Sequence, residues 1–223
     1  MAKPLVYLLN GHSNKAATER YARAATAYFG ERAAVEARTL VDAPLYIATR
    51  RDCARAAVGI LDHAEARLAR RDLPKPDALI LACFGEPGLG ALRELSDIPM
   101  FGLLEASARA VAGRGKSFSI LTPGRDWPAQ MRELLGGYGL LGMCRGINVW
   151  PDAATEADSM FAETAMRDAI ADVAARERAD AIILGGPHAI GLGADRVADR
   201  PVLVRDAFTL TLEEVVAALK VGR

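Results

Sequence analysis

At 223 residues, 51% hydrophobic and 25% charged, with Lys+Arg and Asp+Glu equal at 28 each, the chain has the composition of a globular protein able to bury an ample core. The charge balance excludes a nucleic-acid footprint and a polybasic membrane patch. The leading apolar run, Leu5 to Leu9, is too short for a membrane span or a signal-peptide core, so a cytoplasmic location is expected.

In chain order, short aliphatic runs alternate with Ala-rich helical stretches. The first half predicts Leu5–Leu9, Ala16–Phe29, Ala33–Arg38, Cys53–Ala69, Ala78–Ala82, Gly88–Leu95, Pro99–Phe101 and Leu104–Ala112 as alternating strands and helices. From Lys116 the order begins again. Phe118–Leu121 reads as strand, Trp127–Leu135 as helix, Gly142–Val149 as strand and Thr155–Arg178 as a long helix. Ala181–Leu184 follows as strand, Ala189–Val197 as a short helix, Val202–Val204 as strand and Thr209–Lys220 as the last helix. Such βαβα order implies α/β architecture, with parallel sheets flanked by helices. Gly113-Arg114-Gly115 is the expected linker between a first lobe, 1–113, and a second, 114–205. The segment 206–223 is free to pack back on the first lobe.

Two segments repeat. Asp77-Ala78-Leu79-Ile80-Leu81-Ala82-Cys83 returns 103 residues later as Asp180-Ala181-Ile182-Ile183-Leu184-Gly185-Gly186, and the Pro-led strands at Pro99 and Pro201 keep nearly the same offset. The halves are therefore read as a duplication in which a thiol in one copy matches a glycine in the other. Cysteines at 53, 83 and 144 are odd in number and widely spaced, which disfavours disulfides and a zinc site; no metal is expected. Cys53 and Cys144 read as small buried hydrophobes.

Both repeat segments run into glycine-bearing turns, which puts Cys83 and Gly186 at the carboxyl ends of strands, the edge where open α/β sheets bind ligands. Backbone N–H groups there and a following helix N-terminus favour an anion, and would favour a thiolate at Cys83. Gly85, Gly88 and Gly90 lack the spacing of a dinucleotide fingerprint.

Taken together, Asn10-Gly11-His12-Ser13-Asn14, Ala82-Cys83-Phe84-Gly85-Glu86-Pro87-Gly88-Leu89, Phe118-Ser119-Ile120-Leu121-Thr122 and Asp180-Ala181-Ile182-Ile183-Leu184-Gly185 resemble the aspartate/glutamate/hydantoin racemase superfamily, in particular its hydantoin racemase branch. The resemblance implies two pseudo-symmetric lobes with the active site between them, no cofactor and a homo-oligomer. It also implies a small carboxylate or hydantoin-like substrate held by Asn10, Ser13, Phe84, Gly85, Thr122, Gly185, Gly186 and Pro187. In that family one cysteine from each lobe works on opposite faces of the α-carbon, one as base and one as acid. Here the family's second cysteine is Gly186, so only Cys83 maps onto a catalytic position.

Three readings follow. His188 or a water above Gly186 serves as the second acid/base of a racemase or epimerase. Alternatively, Cys83 alone protonates one face after loss of carbon dioxide from a malonate-type acid, as in the single-cysteine arylmalonate decarboxylases. The third reading is a carboxylate-binding protein without chemistry. Asn10, Ser13 and Asn14 either line the cleft or cap the next helix, and Thr122 either binds substrate or makes a turn with Pro123. Glu86 either positions substrate or caps the following helix. His12 and His63 read as surface residues, while Arg50, Arg51 and Tyr46 stand in a segment able to close the cleft.

Overall fold

The computed structural model describes residues 3–150, 159–197 and 200–221. The first lobe contains β1 (Leu5–Asn10), α1 (Lys15–Phe29), β2 (Ala34–Thr39), α2 (Arg50–Ala69), β3 (Ala78–Leu81), α3 (Leu89–Leu92), β4 (Met100–Gly102) and α4 (Leu103–Ala112). The second contains β5 (Phe118–Thr122), α5 (Trp127–Gly137), β6 (Cys144–Val149), α6 (Ser159–Glu177), β7 (Ala181–Leu184), β8 (Gly193–Val197), β9 (Arg200–Asp206) and α7 (Ala207–Leu219). The sheet orders are β2-β1-β3-β4 and β6-β5-β7-β9-β8. All pairs are parallel except β8 with β9.

The repeat has a physical basis. β3 and β7 are buried along their whole length, as expected for central parallel strands covered on both faces. The aspartate that opens each copy does the same work twice. Asp77 accepts the Leu5 N–H at 2.7 Å, and Asp180 accepts the Ser117 N–H at 2.8 Å, each tying the start of one central strand to its neighbour. Register then fixes the far edge: Leu81 pairs with Gly102 in one sheet and Leu184 with Asp206 in the other.

Helix α1 buries Ala17, Tyr21, Ala25 and Phe29, one stripe at helical spacing, and Asn14 caps it by accepting the Ala17 N–H. Helix α2 starts in a capping box between Thr49 and Asp52. The main core is continuous across both lobes and includes Phe208 of α7, whose ring lies 4.7 Å from that of Tyr21 on α1. A smaller core of Leu121, Trp150, Ile182, Leu184 and Val204 lies under α6. Among the described residues no helix is long and apolar enough to cross a membrane.

One expected element is replaced. Residues 189–197 do not form a helix: a single 3-10 turn, Pro187–Ala189, leads to β8, which runs antiparallel to β9 at the sheet edge. Gly191 at φ 83° breaks the helical path, and the Asp195–Arg205 ion pair at 2.7 Å joins the hairpin's strands. The expected start of α6 at Thr155 lies outside the described residues.

Candidate active site

The ends of the central strands carry the site. Ala82 N–H donates to Leu9 O in the first lobe, and Gly185 N–H donates to Leu121 O in the second, so β1 ends beside β3 and β5 beside β7. Cys83 is 6% exposed and Phe84 7%. Glycines let the lobes touch here. A Cβ on Gly185 would overlap the Phe84 ring and stand 2.9 Å from the Thr122 hydroxyl oxygen, and one on Gly85 would overlap the Trp127 ring. Cys83, Phe84, Gly85, Thr122 and Gly185 therefore share one inter-lobe junction, with Gly186 and Pro187 half-buried at its margin.

Gly186 is more than a missing thiol. Its backbone sits at φ 94° and ψ 152°, a region essentially reserved for glycine. A Cβ there would stand 3.3 Å from Pro123. His188, on the turn that follows, is exposed.

Burial, the largest influence, pushes the Cys83 thiol up to about 12; charge on Cys53 and Glu86 adds to it, and the Gly85 and Glu86 N–H groups offset it only in part. The expected bias toward thiolate is thus reversed. Helix α3 has only four residues and is entered through left-handed Gly88, so its end contributes little positive field. Tyr21 is an electrostatic neighbour absent from the sequence reading. Its hydroxyl is raised first by burial, then by charge on Cys83 and Asp206. Its place in the buried stripe of α1 makes it look like ordinary core.

The Glu86 side chain does not cap α3, the helix that follows it. Its carboxylate accepts the Glu105 N–H at 2.8 Å in the first turn of α4 and the Tyr138 hydroxyl at 2.7 Å from the second lobe. Its own N–H donates to Cys83 O at 3.0 Å. The duplicated halves solve this corner in opposite ways. In the first, the N-cap is Gly102, which has no side chain, and the acid comes from the turn after β3. In the second, the N-cap is Asp206, which accepts the Thr209 N–H and also holds the Gly191 N–H of the turn after β7. Gly102 is required, because a Cβ there would overlap the Glu86 carboxyl and meet Leu89 at 2.6 Å. Gly102→Ala is expected to lower stability by about 1–3 kcal/mol through overpacking. Urea unfolding checks this, and an unchanged midpoint would refute the packing argument.

The β1–α1 loop is organised by Asn10, which is fully buried. Its Nδ2 donates to Thr18 Oγ1 at 2.8 Å and Asn14 O at 3.2 Å, and its Oδ1 accepts the His12 N–H at 3.2 Å. The amide is thus engaged in shaping the loop. Ser13 is half-buried and its N–H bonds Pro44 O; Asn14, not Ser13, is the helix cap. His12 is half-buried rather than on the surface, against the tilted ring of exposed Tyr46. His63 is also not a solvated residue: its Nε2 lies 2.7 Å from the Tyr7 hydroxyl.

Arg50 reaches across to Glu133 on α5, an exposed pair of small energetic weight. Beside it, Gln130 of α5 donates to Ala48 O at 3.2 Å and accepts from the half-buried Cys53 thiol at 3.4 Å. Two cavities lie elsewhere. One of about 220 Å3 runs between α6 and β7–β9, lined by Met166, Leu184 and Val204 among others. Another of about 430 Å3 runs along β4 and α4, beside Arg93 and Arg109. Neither is lined by Cys83, whose site is the closed junction itself. Among the described residues no three His, Cys, Asp or Glu side chains converge as metal ligands would.

The family model described as Asp/Glu/Hydantoin racemase matches residues 6–215. A hydantoin racemase of Rhizobium meliloti is 28% identical over 182 residues, covering 81% of this chain and 74% of that protein. Allantoin racemase from Klebsiella pneumoniae superposes with a TM-score of 0.84 at 26% identity, over 99% of this chain and 90% of that one. Arylmalonate decarboxylase shares the fold, with a TM-score of 0.70 at 16% identity over 99% and 94% of the two chains. With the strand-end cysteine, the glycine-lined junction and a family match over nearly all of its length, this chain belongs to the Asp/Glu/hydantoin racemase family.

Proposed function

We propose that this racemase-family enzyme acts, without metal or organic cofactor, at the carbon α to a ring carbonyl or carboxylate of a small hydantoin-like molecule, with Cys83 as its one thiol acid/base. The observation that carries this is Cys83 at the carboxyl end of β3, next to Phe84, whose ring packs against Gly185 of the other lobe. Likeness to hydantoin and allantoin racemases supports a substrate whose α-carbon stands between a carbonyl and a ureido nitrogen. In the reaction, Cys83 thiolate takes the α-proton from one face. The electron pair of the broken C–H bond moves into the carbonyl as an enolate, and a proton arrives on the opposite face. His188 or a water admitted at Gly186 supplies that proton. Loss of inversion in His188→Ala identifies the imidazole, and an unchanged rate identifies water. Substrate enters by parting the contact between Trp127 and Gly85. We further propose, from the sequence alone, that the enzyme works as a homo-oligomer in the cytoplasm.

The buried thiol favours a second reading. A sulfur whose pKa is pushed up to about 12 is protonated at neutral pH, so it stands ready as a proton donor and is scarcely populated as a base. Loss of carbon dioxide from a malonate-type acid breaks the C–C bond, leaves the pair as an enolate and needs only a proton from Cys83, which solvent then restores. The pH dependence of kcat/KM separates the two, since it reports the free enzyme. Racemisation through a thiolate is expected to rise about tenfold per pH unit through pH 9. Decarboxylation with a thiol donor is expected to stay flat over that range.

Restoring the second thiol is not expected to restore two-base chemistry. Gly186→Cys is expected to cost about 1–3 kcal/mol of stability, because a side chain is forced onto a glycine backbone. Urea unfolding and racemisation rates measured together test this. A variant as stable as the parent and faster would mean that Gly186 is simply a lost cysteine.

A further inference from the structure

The β1–α1 loop fixes the protonation of one histidine by geometry. His12 Nδ1 faces two groups: the Asn14 backbone N–H at 3.4 Å and Asn10 Nδ2 at 3.3 Å. The orientation of the Asn10 amide is itself determined, because the same Nδ2 donates to the Asn14 carbonyl, which can only accept, while Oδ1 accepts the His12 N–H. Asn10 Nδ2 cannot accept, and its two hydrogens go to the Asn14 carbonyl and Thr18 Oγ1; the Asn14 N–H is the donor, so Nδ1 must present its lone pair. In a neutral imidazole the proton then resides on Nε2. Among the described residues, none accepts a hydrogen bond from Nε2. The ring stands at the ligand-binding edge of the first sheet, half-buried, with its centroid 6.4 Å from that of Tyr46.

We propose that His12 is a substrate-binding residue held as the neutral Nε2–H tautomer, and that this N–H donates to a carbonyl or carboxylate oxygen of the substrate. The proposal rests on the functional reading above and gives the site a neutral donor in place of a second base. Burial acts in the same direction, since it pulls the imidazole down to about 4. The residue is thus a fixed donor and not a proton shuttle at neutral pH. A fixed N–H selects a ligand with an acceptor oxygen and discriminates against an analogue lacking it, because the donor would otherwise stay unpaired.

The experiment is 15N-correlated NMR of the histidine rings in the full chain, with allantoin and 5-benzylhydantoin as probes, alongside kinetics of His12→Phe and His12→Gln. The result expected is an Nε2–H tautomer for His12 that does not titrate between pH 5.5 and 9 and whose Nε2 signal shifts when at least one probe is added. For the turned-over probe, His12→Phe raises KM about tenfold with kcat changed far less, the size of one lost hydrogen bond. His12→Gln, whose amide N–H reaches a similar place, recovers most of the loss. An Nδ1–H or cationic ring at neutral pH overturns the proposal. So does an Nε2 signal unmoved by both probes, or a His12→Phe variant with the parent's KM. Turnover with an unmoved His12 refutes this inference alone. A shifted His12 signal with no proton exchange at the α-carbon refutes the racemase reading and leaves the donor in place.

Discussion

Cys83→Ser lowers the rate of proton exchange at the substrate α-carbon by about 1,000-fold, the scale of a lost general acid/base. Serine keeps the small side chain that fits a position 6% exposed between two packed lobes, so the junction persists. What changes is acidity. The Cys83 proton already sits at about 12 because burial penalises the anion, and an alcohol in the same place is far harder to ionise. No other thiol can take over: Cys144 starts β6, and the Cys53 thiol is turned to Gln130. Exchange is followed by loss of the α-proton NMR signal in deuterated water, and a thermal melt verifies that the variant is folded. Exchange within about threefold of the parent would remove Cys83 from the mechanism.

Glu86 makes stability depend on pH with a definite sign. Burial raises its carboxyl from 4.5 to about 7, outweighing the Glu105 N–H and the Tyr138 hydroxyl that favour the anion; charge on Glu105 pushes the same way as burial. A raised carboxyl means that the folded protein binds more protons than the unfolded chain between these two values. The group's contribution is therefore fully present below pH 4.5 and is lost as pH climbs through 7, a change of about 3 kcal/mol. Glu105, and the Arg93 and Arg109 that pair with it, are unchanged in Glu86→Gln, so the difference between the two proteins isolates this carboxyl. Glutamine keeps an acceptor for the Glu105 N–H and offers its own N–H to the Tyr138 oxygen. The variant is expected to lose the slope between pH 4.5 and 7 and to match or exceed the parent above pH 7. Parallel stability profiles from urea unfolding would contradict this.

Much of this was legible in the sequence because it depends on local pattern. Fully apolar strands led by Asp77 and Asp180 announced two buried central strands, and the turn after each put Cys83 and Gly186 at the binding edge. What stayed hidden depends on partners distant in the chain. The exchange of capping roles between Glu86 with Gly102 and Asp206 with Gly191 follows from strand register, which one sequence does not reveal. Tyr21 looked like core because its spacing is that of core, and its link to Cys83 passes through space. His12 looked like a surface residue until Asn10 and Asn14 were seen to fix its ring. The strand β8 was hidden by an Ala189-Ile190 start that suits a helix, with Gly191 and Gly193 deciding against it.

The central claim is that one thiol, Cys83, moves the proton at the α-carbon while Gly186 leaves the other face without one. The most direct measurement incubates a single enantiomer of allantoin or a 5-substituted hydantoin with the enzyme in deuterated water, and follows deuterium uptake and optical rotation together. The account predicts deuterium at the α-carbon, with uptake running ahead of inversion because only one face has a resident thiol, and both lowered about 1,000-fold by Cys83→Ser. Uptake and inversion at equal rates that survive Cys83→Ser would contradict it.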